Sequence, residues 1–273
     1  MKLHVLAVFF LSINTCLARL DTEKLILLDT LSYIKFKPYG SNLAQYSGVY
    51  EDVHGDTWVV KPLTYEFSLK QLWCEYIASK LLELLVPEQT ARIIVLSKGN
   101  TFLSGSRIIA NFVMEAMLPD ETYIERAEGK ERLCAALLFI GEGDNNDENR
   151  GYIITENSVL AAHVDYDHAF KRFDLIEKNF KCPNIHFNTN YEALFKAFNA
   201  FSHMPFKIIR NTVLKAWSFL ESNLPKPKDT FFTKQWLLQA LANQQKIMLR
   251  LKKPEESSQN TLSSQQLILT YSS

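Results

Sequence analysis

Residues 141–170, GEGDNNDENRGYIITENSVLAAHVDYDHAF, decide how the rest of this chain is interpreted. Asp144 is followed five residues later by Asn149, and Asp165 comes sixteen residues after that. Between them, GYIITENSVLAAHVDY predicts two strands around a polar turn at residues 156–158. We expect such a hairpin to return Asp165 to the neighbourhood of Asn149.

These three side chains meet the needs of a magnesium-dependent phosphoryl-transfer site. Carboxylate and amide oxygens are the hard ligands that Mg²⁺ prefers. A five-residue spacing lets the first Asp face a hydroxyl nucleophile while the Asn turns back toward the ion. The pattern therefore predicts Asp144 as the base and Asn149 and Asp165 as metal ligands. Asp147, which lies nearer to Asn149, stays open as an alternative base.

Three other interpretations of the same stretch are open. Asp and Asn are common in turns for backbone reasons alone. A calcium loop through Asp144, Asn146 and Glu148 is disfavoured, because Asn149 occupies the position where the tight turn needs Gly. A transition-metal site on the second strand would use His163, Asp165, Asp167 and His168.

Upstream, the sequence predicts a β-hairpin that ends in a lysine. Residues 45–50 and 57–62 have the composition of strands, and the polar segment 52–56 between them is typical of a turn. Pro62 suits a strand end, so Lys61 stands where the second strand stops. Taken alone, Lys61 is better explained as a solvated strand-end lysine, since lysines are mostly exposed.

Residues 69–85, LKQLWCEYIASKLLELL, predict a helix that Ser68 caps and that stops at Pro87. The apolar residues of this segment form a broad stripe that we expect to be buried. Glu75 borders the stripe, and a carboxylate in that position is costly unless it is paired.

The following segments predict the remaining parts of an α+β domain. Residues 91–97 and 106–114 look like strands, with a turn at residues 98–100, and residues 130–140 look like a helix that runs directly into the loop of Asp144. Beyond residue 170, aromatic and aliphatic residues at helical spacing predict several buried helices separated by prolines.

In this order of parts the chain resembles the protein-kinase-like superfamily, in its atypical branches: phosphatidylinositol kinases, aminoglycoside and choline phosphotransferases, and bacterial effector kinases. The resemblance rests on Gly143-Asp144, Asn149 and the apolar run ending in Asp165, and it covers residues 45–170. The chain departs from the family pattern in two places. It has no His-Arg-Asp, and Asp-Tyr-Asp at residues 165–167 replaces Asp-Phe-Gly.

The resemblance implies roles for further residues. Lys61 would hold the α- and β-phosphates of ATP, and Glu75, fourteen residues later, would pair with it, with Glu83 as the reserve. Residues 112–118 would form the hinge, where Glu115 and Met117 would meet the adenine edge.

The loop that covers the phosphates is the least regular part of the resemblance. Gly40 and Ser41, within residues 39–42, are the first candidates to contact the nucleotide, and residues 46–49 are the second. Each segment has a single Gly, whose missing side chain lets the backbone N–H groups approach phosphate oxygens.

We therefore predict an α+β, two-lobed protein-kinase-like fold, with a small antiparallel sheet and one helix in the N-lobe and a mainly helical C-lobe. Residues 20–115 would form the N-lobe, 116–252 the C-lobe and 253–273 a disordered tail. The implied function is an ATP- and Mg²⁺-dependent atypical protein kinase. The alternatives are a phosphoinositide or small-molecule kinase, an AMP-transferring enzyme, and a non-catalytic pseudokinase.

Composition restricts the partners. The chain has 273 residues, 47% of them hydrophobic, and a formal net charge of +0, which allows a substantial core and gives no support for a nucleic-acid partner. We expect a protein or lipid hydroxyl as the substrate. Membrane association and oligomeric state stay open.

The chain ends and the cysteines bear on location. Residues 1–19 are either a secretory signal peptide or a segment that packs on the N-lobe, and the tail resembles the translocation signals of bacterial effectors delivered into host cells. The expected location is therefore secreted, with the cytoplasm as the alternative. The four cysteines show neither metal-ligand spacing nor a disulfide framework, which favours a reducing compartment.

Overall fold

Two sheets and six α-helices make up the part of the chain that the computed structural model describes, which is residues 24–35, 46–64, 67–144, 148–174 and 190–251. The strands are β1 (Ile26–Leu27), β2 (Ser32–Lys35), β3 (Gly48–Glu51), β4 (Thr57–Pro62), β5 (Ile93–Lys98), β6 (Thr101–Arg107), β7 (Phe112–Met114), β8 (Arg150–Ile154) and β9 (Val159–His163). The helices are α1 (Leu69–Leu85), α2 (Thr122–Arg126), α3 (Lys130–Phe139), α4 (Tyr191–Ser202), α5 (Phe206–Asn223) and α6 (Lys234–Arg250).

The larger sheet has the strand order β1-β5-β6-β4-β3-β2 and, with α1, forms one lobe. The predicted hairpin is present as β3 and β4, and its turn is closed by a hydrogen bond from Asp52 N to Asp56 O. Gly55 in that turn has φ 80°, a left-handed conformation that Gly adopts without steric cost. One pair departs from the predicted antiparallel sheet, because β1 pairs with β5 in parallel.

Helix α1 begins and ends where its sequence predicts. Ser68 accepts a hydrogen bond from Gln71 N, and the Gln71 side chain accepts one from Ser68 N, which together form a capping box. Twelve of the seventeen residues of α1 are buried, many more than one helix face. Trp73 packs edge-on against Trp217 of α5, and Tyr76 stacks on Phe219 of the same helix. The helix therefore lies between the sheet and the helical lobe.

The strand predicted at residues 106–114 is wrong in its bounds. The structure has β6 end at Arg107, and β7 begins at Phe112. Asn111 between them has φ 60°, which turns the chain out of the large sheet. As a result β7 pairs with β8 and joins the smaller sheet, whose order is β7-β8-β9.

The helical lobe forms around α3, whose last seven residues are all buried. The hairpin β8–β9 packs against α3, and α4, α5 and α6 supply the aromatic core that their spacing predicts. Cys74 is a free, buried thiol, but Cys134 on α3 is disulfide-bonded. A disulfide therefore forms although the cysteine spacing indicates no disulfide framework, because sequence spacing does not report which cysteines meet in space. Across the described ranges, no helix is long and apolar enough to cross a bilayer.

Candidate active site

A buried lysine lies between two carboxylates at the junction of the sheet and α1. Lys61 Nζ on β4 is 3.1 Å from Glu75 Oε1 on α1 and 2.7 Å from Asp165 Oδ2, two residues beyond β9. Lys61 is only 5% exposed, and Glu75 is fully buried. The structure thus brings three predicted residues together and excludes the solvated-lysine interpretation. The reserve residue Glu83 is instead paired with Lys80 at 3.2 Å.

Ser104 is a further member of this group that the sequence did not reveal. Its hydroxyl donates to Glu75 Oε2 at 2.6 Å, while Lys61 contacts the other oxygen of the same carboxylate. Ser104 reaches Glu75 because β6 pairs with β4 in a register that places Ser104 opposite Lys61. Only the strand pairing could have identified it, since a serine in SGS carries no signal of its own.

The two carboxylates titrate differently although both contact Lys61. Burial raises the pKa of Glu75 to about 7, against the opposing pull of Lys61. Burial also acts to raise the pKa of Asp165, but the charge and hydrogen bond of Lys61 outweigh it and the pKa is lowered. One lysine cannot neutralise two ionised carboxylates. The group therefore favours an added positive charge, either a proton on Glu75 or a bound cation.

The loop after α3 places Asp144 beside Asn149, as the spacing predicts. Asn149 Nδ2 donates to Asp144 Oδ2 at 2.8 Å. The start of the loop is fixed to the segment beyond Asp165, because Phe170 N donates to Ile140 O and Arg172 N donates to Gly141 O. Gly141 has φ 63°, a conformation that lets the chain leave α3 and enter the loop.

Glu142 also fixes the first part of this loop. Its Oε1 accepts a hydrogen bond from Asp144 N at 2.9 Å, and Glu142 itself is fully buried. Burial raises the pKa of the Glu142 carboxyl to about 8, since only the backbone of Asp144 opposes it while Asp167, Asp144 and Asp165 add repulsion. This raised pKa favours the protonated form of the Glu142 carboxyl at neutral pH. No sequence pattern marks Glu142 as part of the site.

The hairpin returns Asp165 to Asn149, and the link is a hydrogen bond from Val164 N to Asn149 O at 2.9 Å. Asp165 has φ 67°, so the strand alternation ends at His163 and Asp165 turns toward Lys61. His163 is buried and stacked on Tyr166. Within the described residues, no three His, Cys, Asp or Glu side chains converge as a metal cage, so the transition-metal alternative is not supported.

Tyr166 is the residue that replaces Phe in the Asp-Phe-Gly pattern, and its hydroxyl makes two hydrogen bonds. It is fully buried, its OH donates to His163 O at 2.5 Å, and it accepts a hydrogen bond from Ala91 N at 2.8 Å. Ala91 lies in the segment between α1 and β5. The tyrosine therefore joins the Asp165 segment to the lobe that carries Glu75.

The segment predicted as the hinge forms a 3₁₀ turn at Glu115–Met117. Arg150 Nη2 and the Tyr152 hydroxyl both donate to the Glu115 carboxylate, at 2.8 and 3.2 Å, which connects this turn to β8. Met117 is 67% exposed. The adenine role of Glu115 and Met117 stays a prediction. The remaining predicted residues, Gly40, Ser41 and the alternative base Asp147, lie outside the described residues.

The residues present fit a magnesium ion. Asp165 Oδ1 is buried and has no hydrogen-bond partner in the described part of the chain, which leaves a hard oxygen for a cation. Asn149 uses its amide nitrogen toward Asp144, so its amide oxygen is the atom by which it would hold the ion. The excess negative charge around Lys61 favours the same occupant.

We expect Glu142→Gln to make the protein more stable than wild type at pH 8 and nearly equal to it at pH 5. The folded pKa of about 8 lies above the value of 4.5 of an unburied glutamate. Stability is therefore lost as pH rises from 4.5 through 8, because the unfolded chain releases a proton that the folded chain keeps. The difference between the variants should change by on the order of 3 kcal/mol between pH 5 and pH 8.

Urea unfolding at both pH values measures this difference. Glu125→Gln, a change at an exposed residue of α2, is the control. A stability difference between Glu142→Gln and wild type that is the same at pH 5 and pH 8 would show that Glu142 is ionised in the fold.

Comparison with known proteins identifies the architecture. No protein-family profile matches the chain, and no curated protein sequence matches it. Among solved structures, the chain is similar to the Helicobacter pylori proinflammatory kinase CtkA, with a TM-score of 0.53, 12% identity, and coverage of 83% of this chain and 96% of that one. This likeness shows that the fold is protein-kinase-like.

Two further structures align more loosely. A Golgi casein kinase gives a TM-score of 0.45 at 10% identity, over 84% of this chain and 73% of that one. The HipA chain of a Shewanella oneidensis complex of HipA, HipB and operator DNA gives a TM-score of 0.43 at 11% identity, over 88% and 76%.

Proposed function

We propose that this chain is an ATP- and Mg²⁺-dependent phosphotransferase, an atypical protein kinase that transfers the γ-phosphoryl group to a hydroxyl. The observation that carries the proposal is the position of Lys61, which contacts Glu75 and Asp165 at once in a protein-kinase-like fold. A buried lysine whose two partners come from a helix and from a metal-binding loop is positioned to bind phosphate oxygens beside a cation.

Each residue has a separate task in this proposal. Lys61 binds the phosphates, and Glu75 fixes the lysine while Ser104 fixes the glutamate. Asn149 and Asp165 hold Mg²⁺, which when bound offsets the charge of the phosphates. Asp144, kept in place by its hydrogen bonds to Asn149 and Glu142, orients the acceptor hydroxyl and takes its proton.

Isotopic labelling tests the reaction type. Purified protein is incubated with Mg-ATP labelled at either the α- or the γ-phosphorus, together with a host-cell lysate. Covalent γ-label on a product supports the proposal, and α-label would show AMP transfer instead. Nucleotide binding without transfer of either label would identify a pseudokinase.

The acceptor class follows from separate assays with a protein mixture, phosphoinositide vesicles and aminoglycosides. We expect transfer to protein, which mass spectrometry would locate on serine, threonine or tyrosine. Transfer only to inositol lipid or only to aminoglycoside would support the assignment as a phosphotransferase but contradict the assignment of protein as its acceptor.

We expect Lys61→Ala and Glu75→Ala to reduce Mg-ATP turnover non-additively, because Glu75 acts through Lys61. Each single change should lower kcat/KM at least tenfold, because Lys61 would contact the reacting phosphates and Glu75 positions it, and the double variant should be little worse than Lys61→Ala. Circular dichroism checks that each variant is folded.

Glu83→Ala is the matched control for this pair, because Glu83 lies on the same helix and is paired with Lys80 instead. It should leave turnover near the wild-type value. Additive effects of the two active-site changes, or a loss of turnover with Glu83→Ala, would show that the pairing is not used in catalysis.

We extend the proposal to location. The similar Helicobacter pylori protein is named a proinflammatory kinase, which fits action of this chain on a host cell as a delivered effector. The candidate signal peptide and the C-terminal tail lie outside the described residues. Immunodetection of the chain inside host cells co-cultured with the producing organism tests delivery, and its confinement to the producing cells would contradict it.

A further inference from the structure

A second acidic residue, Asp167, follows Asp165 and contacts the first turn of α1. Asp167 is 7% exposed, and its Oδ2 accepts a hydrogen bond from Gln71 Nε2 at 3.0 Å. The two residues are 96 positions apart in sequence, so this bond is a tertiary contact between the Asp165 segment and the helix that carries Glu75. The other Asp167 oxygen is 3.7 Å from His168 Nε2.

The side-chain amide of Gln71 makes two separate contacts, one through its oxygen and one through its nitrogen. Its oxygen accepts from Ser68 N at 2.9 Å and closes the capping box. Its nitrogen donates to Asp167. Gln71 lies four residues before Glu75, which is one helical turn, so any displacement of this end of α1 moves the Glu75 carboxylate relative to Lys61.

Other contacts of α1 reach the segment before β5, β5 itself and the helical lobe. Ser79 Oγ donates to Ala91 O and accepts from Ile93 N, and Trp73 and Tyr76 pack on α5. The bond from Gln71 to Asp167 joins α1 directly to the segment of Asp165 by a side-chain hydrogen bond.

We propose that Asp167 is a positioning residue that acts through Gln71 to hold α1 where Glu75 contacts Lys61, and that it is not a further ligand of the metal. This inference rests on the proposed function. In this proposal Asp167, the last residue of Asp165-Tyr166-Asp167, fixes the position of α1. The segment that would bind the cation therefore also determines where Glu75 contacts Lys61.

A reversal of donor and acceptor tests the proposal. Gln71→Glu keeps the acceptor oxygen of the capping box but removes the amide donor and places a carboxylate against Asp167. It should weaken Mg-ATP binding about tenfold or more, the usual effect of leaving a buried partner unsatisfied. Asp167→Asn keeps an oxygen that accepts from Gln71 and should bind Mg-ATP within about twofold of wild type.

The double variant, Gln71→Glu with Asp167→Asn, recreates one hydrogen bond with its direction reversed. It should recover affinity to within about threefold of wild type. Isothermal titration with ATP over a series of Mg²⁺ concentrations measures all four proteins. If Asp167 is a metal ligand, Asp167→Asn alone shifts the Mg²⁺ dependence and the double variant shows no recovery, which would overturn the proposal.

Hydrogen exchange supplies a readout that needs no nucleotide. Backbone amides in the first two turns of α1 should exchange about tenfold faster in Gln71→Glu than in wild type. In the double variant their exchange rates should return to the wild-type values, because the side-chain bond between positions 71 and 167 is lost in the first variant and restored in the second. Unchanged exchange in Gln71→Glu would overturn the proposal. Failure of wild type to bind Mg-ATP would overturn the proposed function while the exchange result still decides whether Gln71 and Asp167 hold α1.

Gln245→Ala is the control for the loss of glutamine side-chain hydrogen bonds elsewhere in the fold. Gln245 on α6 donates to Phe201 O and Met204 O, both at 2.9 Å, in the helical lobe. It should lower the unfolding midpoint without changing Mg-ATP affinity or exchange at the start of α1. An affinity loss in Gln245→Ala equal to that in Gln71→Glu would attribute both to general destabilisation and contradict a specific role of Gln71.

Discussion

Asp165→Ala should abolish the Mg²⁺-dependent part of ATP binding while the protein stays folded. The change removes the buried oxygen without a partner, Oδ1, and the oxygen that contacts Lys61. Lys61 keeps Glu75 as its partner, so no buried charge is left alone and the fold should persist. Titration of ATP in excess Mg²⁺ and in EDTA should give the same weak affinity for the variant and different affinities for wild type.

Two controls make this result specific. Asp165 has a left-handed backbone, so Ala adds strain of about 1 kcal/mol that has nothing to do with metal binding. Asp165→Gly removes the carboxylate without that strain and should behave in the same way. Asp174→Ala removes a nearby carboxylate that is paired with Arg172 and should bind like wild type. Retention of Mg²⁺-dependent binding in both Asp165 variants would remove Asp165 from the site.

Asp144→Asn should lower turnover by about two orders of magnitude or more, the usual contribution of a positioned general base, with little change in ATP affinity. The structure places the carboxylate against Asn149 on one side and leaves its backbone N–H bound to Glu142. Asn has nearly the same shape, so the loop should keep its conformation while the proton acceptor is lost. Single-turnover kinetics and ATP titration measure the two effects separately.

The competing base is tested by the same substitution at Asp147. We expect Asp147→Asn to be mild, because the carboxylate that lies beside Asn149 is that of Asp144. An inactive Asp147→Asn variant that still binds ATP, beside a nearly normal Asp144→Asn variant, would reverse the two assignments. Full activity in both variants would show that this loop does not catalyse the reaction.

Local sequence signals were sufficient where a feature depends on neighbouring residues. The capping box at Ser68, the turn at Gly55 and the spacing from Asp144 to Asn149 each act over a few positions, and the structure has all three. Strand alternation likewise predicted both strands of the hairpin that leads to Asp165. The protein-kinase-like fold followed from the order of these parts.

Contacts between distant segments could not be predicted in this way. Ser104 meets Glu75 only because β6 lies beside β4, and Gln71 meets Asp167 only because α1 ends near the Asp165 segment. The break between β6 and β7 depends on a left-handed Asn111, which apolar composition does not reveal. Glu142 lies in a polar stretch, and its burial depends on the surrounding tertiary structure.

The tyrosine at position 166 has a consequence for inhibitor discovery. A compound that occupies the space of this ring must first displace it, which breaks the bond to His163 O and leaves Ala91 N without its acceptor in the interior. Each buried polar group left unsatisfied costs about 1–3 kcal/mol. Such compounds should therefore bind this protein more weakly than a protein with phenylalanine at the same position. Screening against this protein should therefore favour compounds that leave the ring in place.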